Sequence, residues 1–256
     1  MRSADMDLGL TGRTVVVTGA SGGIGREIAR GFAAEGADVV LTYHHAQDGA
    51  ERLAKEIGGR SLVAPYEMDD DEAARGLVES VLAWSGRIDV LVNNAVHWGA
   101  AEPDADLPFD AVPDERWQKV IRANVEGALR LSRAVVPSMR ERGWGRMVHI
   151  SSSIAVDGMP GGEYYGAAKA ALHGFSRSAA FGLGKAGDIL SNVIMPGFTR
   201  TETNAEMAEQ WGGHYSARAP IGRLLDAAEV AKAVVYLGSA ANSGITGQAI
   251  KVTGGA

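Results

Sequence analysis

Cysteine is missing from all 256 residues. That excludes disulfides, thiolate zinc sites and a cysteine nucleophile, and it suits a reducing cytoplasm, the expected location. A basic excess is missing too. The net charge is −6 and the isoelectric point is near 5.5, so nothing points to a nucleic-acid partner. No apolar run approaches the roughly 18 residues of a membrane span, and MRSADMDLGL lacks the apolar core of a signal peptide, so no membrane partner is expected. Repeats, low-complexity tracts and composition breaks are lacking as well. The expectation is one domain over 1–256, long enough to bury a substantial core, with no metal site.

What is present begins at Arg13. Thr14 to Thr18 is an apolar, β-branched run that reads as a short buried strand. A turn with Gly19, Gly22, Gly23 and Gly25 follows, and then Ile24, Ile28 and Phe32 recur every four residues, as on one helix face. Strand, glycine turn and helix form a phosphate-binding arrangement. Glycines let the backbone approach a pyrophosphate, and the N–H groups of the helix start point at the anion. The spacing is T-G-x-x-x-G-x-G from Thr18 to Gly25, because position 21 is Ser.

The rest of the chain alternates. Strands are predicted at Asp38 to Tyr43, Ser61 to Tyr66, Ile88 to Val92, Met147 to Ile150, Ile189 to Met195 and Gln248 to Val252. Helices are predicted up to a stop at Gly36, up to Gly58-Gly59, and over Asp71 to Ser85, Glu115 to Arg142 and Tyr164 to Leu183. Another opens at a capping box, Asp226 to Glu229, and runs to Leu237. Val96 to Asp114 and Phe198 to Ala219 read as loops. Strict alternation implies parallel strands. The fold class is therefore α/β, a single doubly wound Rossmann-type domain with a sheet of about seven parallel strands and helices on both faces.

Four residues carry candidate chemistry. Tyr165 and Lys169 are four apart, so they share one face of a helix. An ammonium beside a phenol favours the phenolate, and such a tyrosine can exchange a proton with an alcohol or ketone. Ser152 follows the fifth strand, at the carboxyl edge where ligands of open parallel sheets sit, and can donate to a carbonyl oxygen as it gains charge. Ser151 and Ser153 read as turn residues. Asn124 interrupts an apolar stripe of Trp117, Ile121, Ala128, Leu131 and Val135. Its two readings are a buried amide bonded to nearby backbone and a link from bound water to Lys169, and both can hold.

In these motifs the chain resembles the short-chain dehydrogenase/reductase family over about Leu8 to Ala256. The resemblance rests on the Thr18–Gly25 turn, Asn93-Asn94-Ala95, Asn124 in ANVEG, and Ser152 thirteen residues before Tyr165 with Lys169 four beyond. It also includes Pro196-Gly197 followed by Thr199 and Thr201, and the closing Ile245-Thr246-Gly247-Gln248. It implies a catalytic set of Asn124, Ser152, Tyr165 and Lys169. It implies cofactor contacts from Thr18, Gly19, Ser21, Gly23, Ile24, Gly25, Tyr43, His44, Glu67, Met68, Asn94, Ala95, Tyr165, Lys169, Pro196, Gly197, Thr199 and Thr201. The named members it resembles are 3-oxoacyl-carrier-protein reductases. Relatives commonly form tetramers through the two long helices and the closing strand. The helix from Tyr164 is apolar around much of its circumference, so a homotetramer is expected, with a dimer as the alternative. Departures from the family pattern are Val96 for a glycine, Glu67-Met68 for Asp-Val, and a longer acidic loop containing Glu102, Asp104, Asp106, Asp110 and Asp114.

The reading is a nicotinamide-dependent ketoreductase acting on a small carbonyl or secondary alcohol. An acid at the end of the second strand would bind the ribose 2′-hydroxyl of NAD. Here Thr42-Tyr43-His44-His45 offers none before Asp48, so NADP(H) is favoured over NAD(H). His97, Trp98, Met159, Tyr164, Phe198, Met207 and Trp211 are expected to line a pocket for an apolar or cyclic substrate under a mobile lid. The rivals are an NAD-dependent alcohol dehydrogenase and a cofactor-binding sensor or scaffold without turnover.

Overall fold

In the computed structural model, which describes residues 7–98 and 107–256, the valines after Arg13 show why the sheet is covered on both sides. β1 (Thr14–Val17) sends Val15 and Val17 into one core and Val16 into the other, as the two-residue period of a strand requires. The first core joins β1 to α1 (Gly23–Ala34), β2 (Asp38–Tyr43) and α2 (Gln47–Ile57) through Ile28, Phe32, Leu41 and Leu53. The second joins β3 (Ser61–Pro65), α3 (Ala73–Ser85) and β4 (Val90–Asn93) to the next long helix through Leu77, Val81, Leu91, Leu131 and Val135.

Beyond β4 come α4 (Asp114–Ile121), a π-helical turn (Arg122–Gly127), α5 (Ala128–Arg142), β5 (Trp144–Ile150), the short α6 (Ile154–Asp157), α7 (Glu163–Leu183) and β6 (Asp188–Pro196). The chain closes with β7 (Thr199–Arg200), α8 (Ala205–Arg218), β8 (Leu225–Asp226), α9 (Ala227–Leu237) and β9 (Ala249–Val252). Seven strands pair in parallel in the order β3-β2-β1-β4-β5-β6-β9, and β7 pairs with β8 apart from them. Strand order reverses between β1 and β4, which opens a crevice over their carboxyl ends. The expected Asp226–Glu229 capping box opens α9.

Two expectations need correction. The single helix over Glu115 to Arg142 is interrupted at Asn124 by the π-helical turn, so its i, i+4 stripe is not one regular face. The loop expected over Phe198 to Ala219 contains α8. Only Ala208 and Gly212 of this helix are buried, and Gly212 is close enough to Leu224 that an added Cβ would lie 3.1 Å from its side chain. A helix docked through small residues shows no hydrophobic period. Within the chain α7 keeps one face uncovered, where Ala167, Ala171, Gly174 and Phe181 lie exposed. Of the acidic loop, Glu102, Asp104 and Asp106 lie outside the described residues. Asp110 sits in a 3-10 turn and Asp114 opens α4.

Candidate active site at the carboxyl edge of the sheet

The glycine turn, the β4 exit at Asn94, Ser152, Tyr165, Lys169 and the β6 exit at Pro196 reach the same edge, because parallel strands all end there, whereas residues 245–248 lie at the amino end of β9, where Gln248 N–H donates to Asn192 Oδ1. The glycine turn is held from three sides. Gly19 N–H donates to Thr42 Oγ1 (3.2 Å) and Ala20 N–H to Thr42 O (3.0 Å), which fixes the turn to β2. The N–H groups of Asn94 and Ala95 both donate to Thr18 Oγ1 at 2.9 Å, and Asn94 Nδ2 donates to Thr18 O at 2.9 Å, which fixes it to the β4 exit. Thr18 and the Asn94 amide nitrogen, both engaged with backbone, thus build the floor of the crevice. The role of Thr42 had no motif to announce it.

The turn suits a dinucleotide by what it cannot hold. Gly19 and Gly23 have φ of 62° and 57°, in the region that favours glycine. A Cβ on Gly25 would stand 2.3 Å from Gly19 O and 2.5 Å from Asn94 Nδ2. Toward the outside the turn is open: a Cβ on Gly22 or Gly23 would meet only Thr203 and Thr201, at 3.5 Å or more. α1 starts at Gly23 with no side-chain cap, so its first N–H groups are available to an anion, and Ile24 points to the first core. Ser21 packs against Gly49 of α2, and its carbonyl accepts from Arg26.

To one side, Tyr43 ends β2 and its carbonyl accepts from Tyr66 N–H at 2.8 Å. His44 Nε2 is in direct contact with Glu67 Oε2. Met68 O accepts from Arg130 at 3.0 Å, and a Cβ on Gly127 would come within 2.4 Å of it, so the π-helical turn presses on the β3 exit. To the other side, Pro196 ends β6 and Gly197 lies against Thr253. Thr199 is buried and donates to Gly197 O (3.0 Å). Thr201 caps the 3-10 turn Glu202–Asn204 in a capping box with Asn204. Glu202 pairs with Arg26 at 2.8 Å, which links this turn to α1 across the glycine loop.

At the centre, α7 carries Tyr165 and Lys169 on its buried face. Lys169 Nζ donates to Ile150 O at 2.9 Å, and burial pulls its pKa down to about 8. Tyr165 is 8% exposed, and burial pushes its phenol well above the ordinary range. The expectation that the ammonium lowers this phenol is therefore not met. Its ring is covered by the Trp98 indole, stacked at 3.9 Å and 16°. Ser152 Oγ accepts from Ile154 N–H at 3.2 Å at the entry to α6. Ser151, as expected for a turn residue, is tied down: its hydroxyl donates to Lys169 O (3.0 Å) and accepts from His173 Nε2 (2.8 Å). Asn124 donates from Nδ2 to Val120 O (2.9 Å) and His97 O (2.6 Å), and its Oδ1 accepts from His97 N–H (3.2 Å). Its side chain is spent on backbone, as the plain reading of a buried amide has it.

The expected pocket residues separate. Trp98 reaches Tyr165. His97 lies beside it, with its Nε2 buried and unpartnered among the described residues and its pKa lowered by burial. Tyr164 turns the other way, stacking on Trp117 at 5.4 Å and donating to Phe109 O (2.9 Å). Phe198 packs on Tyr215 of α8 at 4.7 Å. Met159 closes a turn at Gly162. Met207 and Trp211 lie exposed on α8, Trp211 by 52%. Val96, where the resembled family has glycine, is exposed too, and no described non-glycine residue has positive φ, so valine sits there without backbone strain.

Beneath this edge lies a polar network that the sequence did not announce. His149 of β5 is fully buried, bonded to Asn93 Nδ2 (3.0 Å) and Ser191 Oγ (3.4 Å), and its pKa is pushed down to about 4 by burial and then by Lys169.

Residues 19–256 match the family described as enoyl-(acyl carrier protein) reductase. The 3-oxoacyl-(acyl-carrier-protein) reductase FabG of Escherichia coli is 36% identical over 244 residues, covering 95% of this chain and 97% of its own. L-rhamnose 1-dehydrogenase (NAD(P)(+)) of a Sphingomonas species is 36% identical, covering 96% of each chain. Among solved structures, a 3-oxoacyl (acyl-carrier-protein) reductase from Agrobacterium tumefaciens with NADP bound superposes with a TM-score of 0.89 at 29% identity, over 100% of this chain and 99% of that one. A protein described only as of the short-chain dehydrogenase/reductase family superposes with a TM-score of 0.82 at 36% identity, covering 96% and 97%. Fold, edge chemistry and kinship agree: the chain belongs to the short-chain dehydrogenase/reductase family of oxidoreductases.

Proposed function

We propose that this protein is an NADP(H)-dependent ketoreductase for an apolar or cyclic carbonyl substrate. The observation that carries the reading is the placement of Tyr165 and Lys169. One helix face delivers both to the carboxyl end of β5, two residues from Ser152, with Lys169 anchored on Ile150 O. NADP(H) supplies or accepts the hydride. Ser152 holds the carbonyl oxygen, and Tyr165 gives it the proton. An ammonium has three protons, so after its bond to Ile150 O Lys169 keeps two for a ribose hydroxyl and a water. Asn124, through the His97 backbone, sets the path of the chain toward Trp98. The NADP-bound structural relative and the lack of an acid at the end of β2 support NADP(H). A screen of NADPH consumption against keto-esters, cyclic ketones, quinones and acyl thioesters tests the reading; no turnover on any of them, with the dinucleotide bound, would favour a sensor or scaffold.

A second reading, oxidation of a hydroxyl in a polar substrate with NAD(H) admitted, is favoured by the L-rhamnose 1-dehydrogenase relative. Reduction of NAD by sugars in the same screen would select it.

The exposed face of α7, where Phe181 is 76% exposed beside Ala167, Ala171 and Gly174, supports a homotetramer, with a dimer as the alternative. Light scattering should give the mass of four chains, and Ala171→Glu should reduce it. A monomer mass for the unaltered protein would defeat this part of the proposal.

A further inference from the structure

Ser151 stands next to the serine that the mechanism uses, and its side chain reaches a helix rather than the turn. It is 3% exposed. Its Oγ donates to Lys169 O at 3.0 Å and meets Nε2 of the half-buried His173 at 2.8 Å. A hydroxyl has one hydrogen, so with that hydrogen on the carbonyl the imidazole is the donor, in its Nε2–H form. His173 follows Lys169 by four, as Lys169 follows Tyr165, so one stripe of α7 carries all three residues along the end of β5.

Backbone pairing places this segment along the sheet but leaves its distance from α7 open. Ser151 N–H donates to Ile194 O at 2.8 Å and Ser153 N–H to Pro196 O at 2.9 Å, so the residues on either side of Ser152 are held by β6. Toward α7 the described side chains make two polar ties at this level, Lys169 Nζ on Ile150 O and Ser151 Oγ on Lys169 O. The two ties differ in leverage. Nζ ends a flexible four-carbon stem, so its bond fixes the ammonium and lets the helix shift. Oγ is one bond from Cβ and its acceptor is the helix backbone, so its bond fixes helix to strand. The proposed reaction draws on the Lys169 ammonium for other partners and makes no demand on Ser151. About two turns beyond Lys169, Ser176 bonds Ser191 of β6 at 2.9 Å, a second buried tie of α7 to the sheet, away from the site.

We propose that Ser151, seated on His173, is the positioning residue that sets α7 against the end of β5, so that the Ser152 and Tyr165 hydroxyls converge on one carbonyl oxygen. This rests on the reading above that Ser152 and Tyr165 share that oxygen. Without the Ser151 hydroxyl, Ser152 stays with β6 while Tyr165 moves with α7, and the two donors separate. A displacement of about 1 Å at reacting groups can cost on the order of 100-fold in rate. The glycine turn, on the far side of the crevice, keeps its geometry.

The test is steady-state kinetics on the most active carbonyl of the screen above, with NADPH binding and urea unfolding measured on the same variants. Ser151→Ala should lower kcat by roughly 10- to 100-fold and leave KM and the NADPH dissociation constant within about threefold. His173→Leu should lower kcat in the same sense, and His173→Gln, which keeps an N–H for Ser151, should recover most of it. Ser176→Ala loses a buried hydrogen bond of the same kind, so it should unfold at lower urea, as Ser151→Ala does, with kcat unchanged. That contrast separates positioning from stability. A kcat in Ser151→Ala within about twofold of the unaltered protein, or an equal loss of kcat in Ser176→Ala, would overturn the proposal and leave the reductase reading standing. If Ser151→Ala does not fold, the His173 pair decides, and equal kcat in His173→Leu and His173→Gln counts against the proposal. Turnover of no carbonyl by the unaltered protein would remove the reading and this proposal together.

Discussion

The two halves of the crevice are built differently. On the cofactor side the chain is over-determined. Gly25 has no room for a methyl group, Thr18 receives two amide N–H groups, and Thr42 braces the turn from β2. On the substrate side the walls are side chains. Trp98 leans on Tyr165, Tyr164 on Trp117 and Phe198 on Tyr215, while Trp211 and Met207 reach into solvent. Backbone hydrogen bonds and missing Cβ atoms permit one geometry, whereas stacked aromatics permit several rotamers at modest cost. One half is fit to hold a fixed ligand; the other can be changed without unfolding the sheet.

Substitutions should expose this difference. The largest effect belongs at the boundary: Tyr165→Phe keeps the ring under Trp98 and removes the hydroxyl. Steady-state turnover should fall by roughly 10² to 10⁴-fold while melting and NADPH binding persist. Near-normal turnover, with the loss appearing instead in Tyr164→Phe, would move the acid to Tyr164.

Next is the rigid interior. His149 is neutral in the fold with a pKa of about 4, against 6.5 unfolded. The unfolded chain therefore takes up a proton first as pH falls, and stability is lost between about pH 6.5 and pH 4, then levels off. The loss is about 3 kcal/mol. Urea unfolding across that range should show it, and His149→Asn should flatten this part of the slope. An unchanged slope would mean that water reaches the His149 network.

Gly25→Ala should cost about 1–3 kcal/mol through overpacking, because Gly19 O and Asn94 must both yield, and NADPH affinity should fall with it. Preserved stability and affinity together would show the turn to be as adaptable as the rim.

The rim should answer more mildly. An aromatic stack is worth about 0.5–1.5 kcal/mol, so Trp98→Ala should lower KM for a small ketone by a factor of roughly 2–10, since the indole no longer has to leave Tyr165. An unchanged KM would remove Trp98 from the substrate path. Trp211→Ala, at an exposed position of α8, should alter stability by about 0.5 kcal/mol or less.

Local chemistry made much of this protein legible in its sequence. The β-branched run at Thr14, the glycine spacing to Gly25, the alternation that gave seven parallel strands, and the four-residue step from Tyr165 to Lys169 each follow from the periods of strand and helix. The capping box at Asp226 needed only residues three apart. Those features are local, and the parallel sheet carries every strand end to one edge.

Tertiary structure decided the rest, because it depends on approach between distant segments. α8 docks through Ala208 and Gly212, and small buried residues write no pattern. The π-helical turn at Asn124 answers to pressure between Gly127 and Met68, 59 positions apart. Tyr165 and Lys169 share a face in any helix, but burial under Trp98 and against Ile150 sets their proton affinities, and it reversed the direction expected for the phenol. No local spacing joins His44 to Glu67. Only the pairing of β2 with β3 brings their side chains into contact.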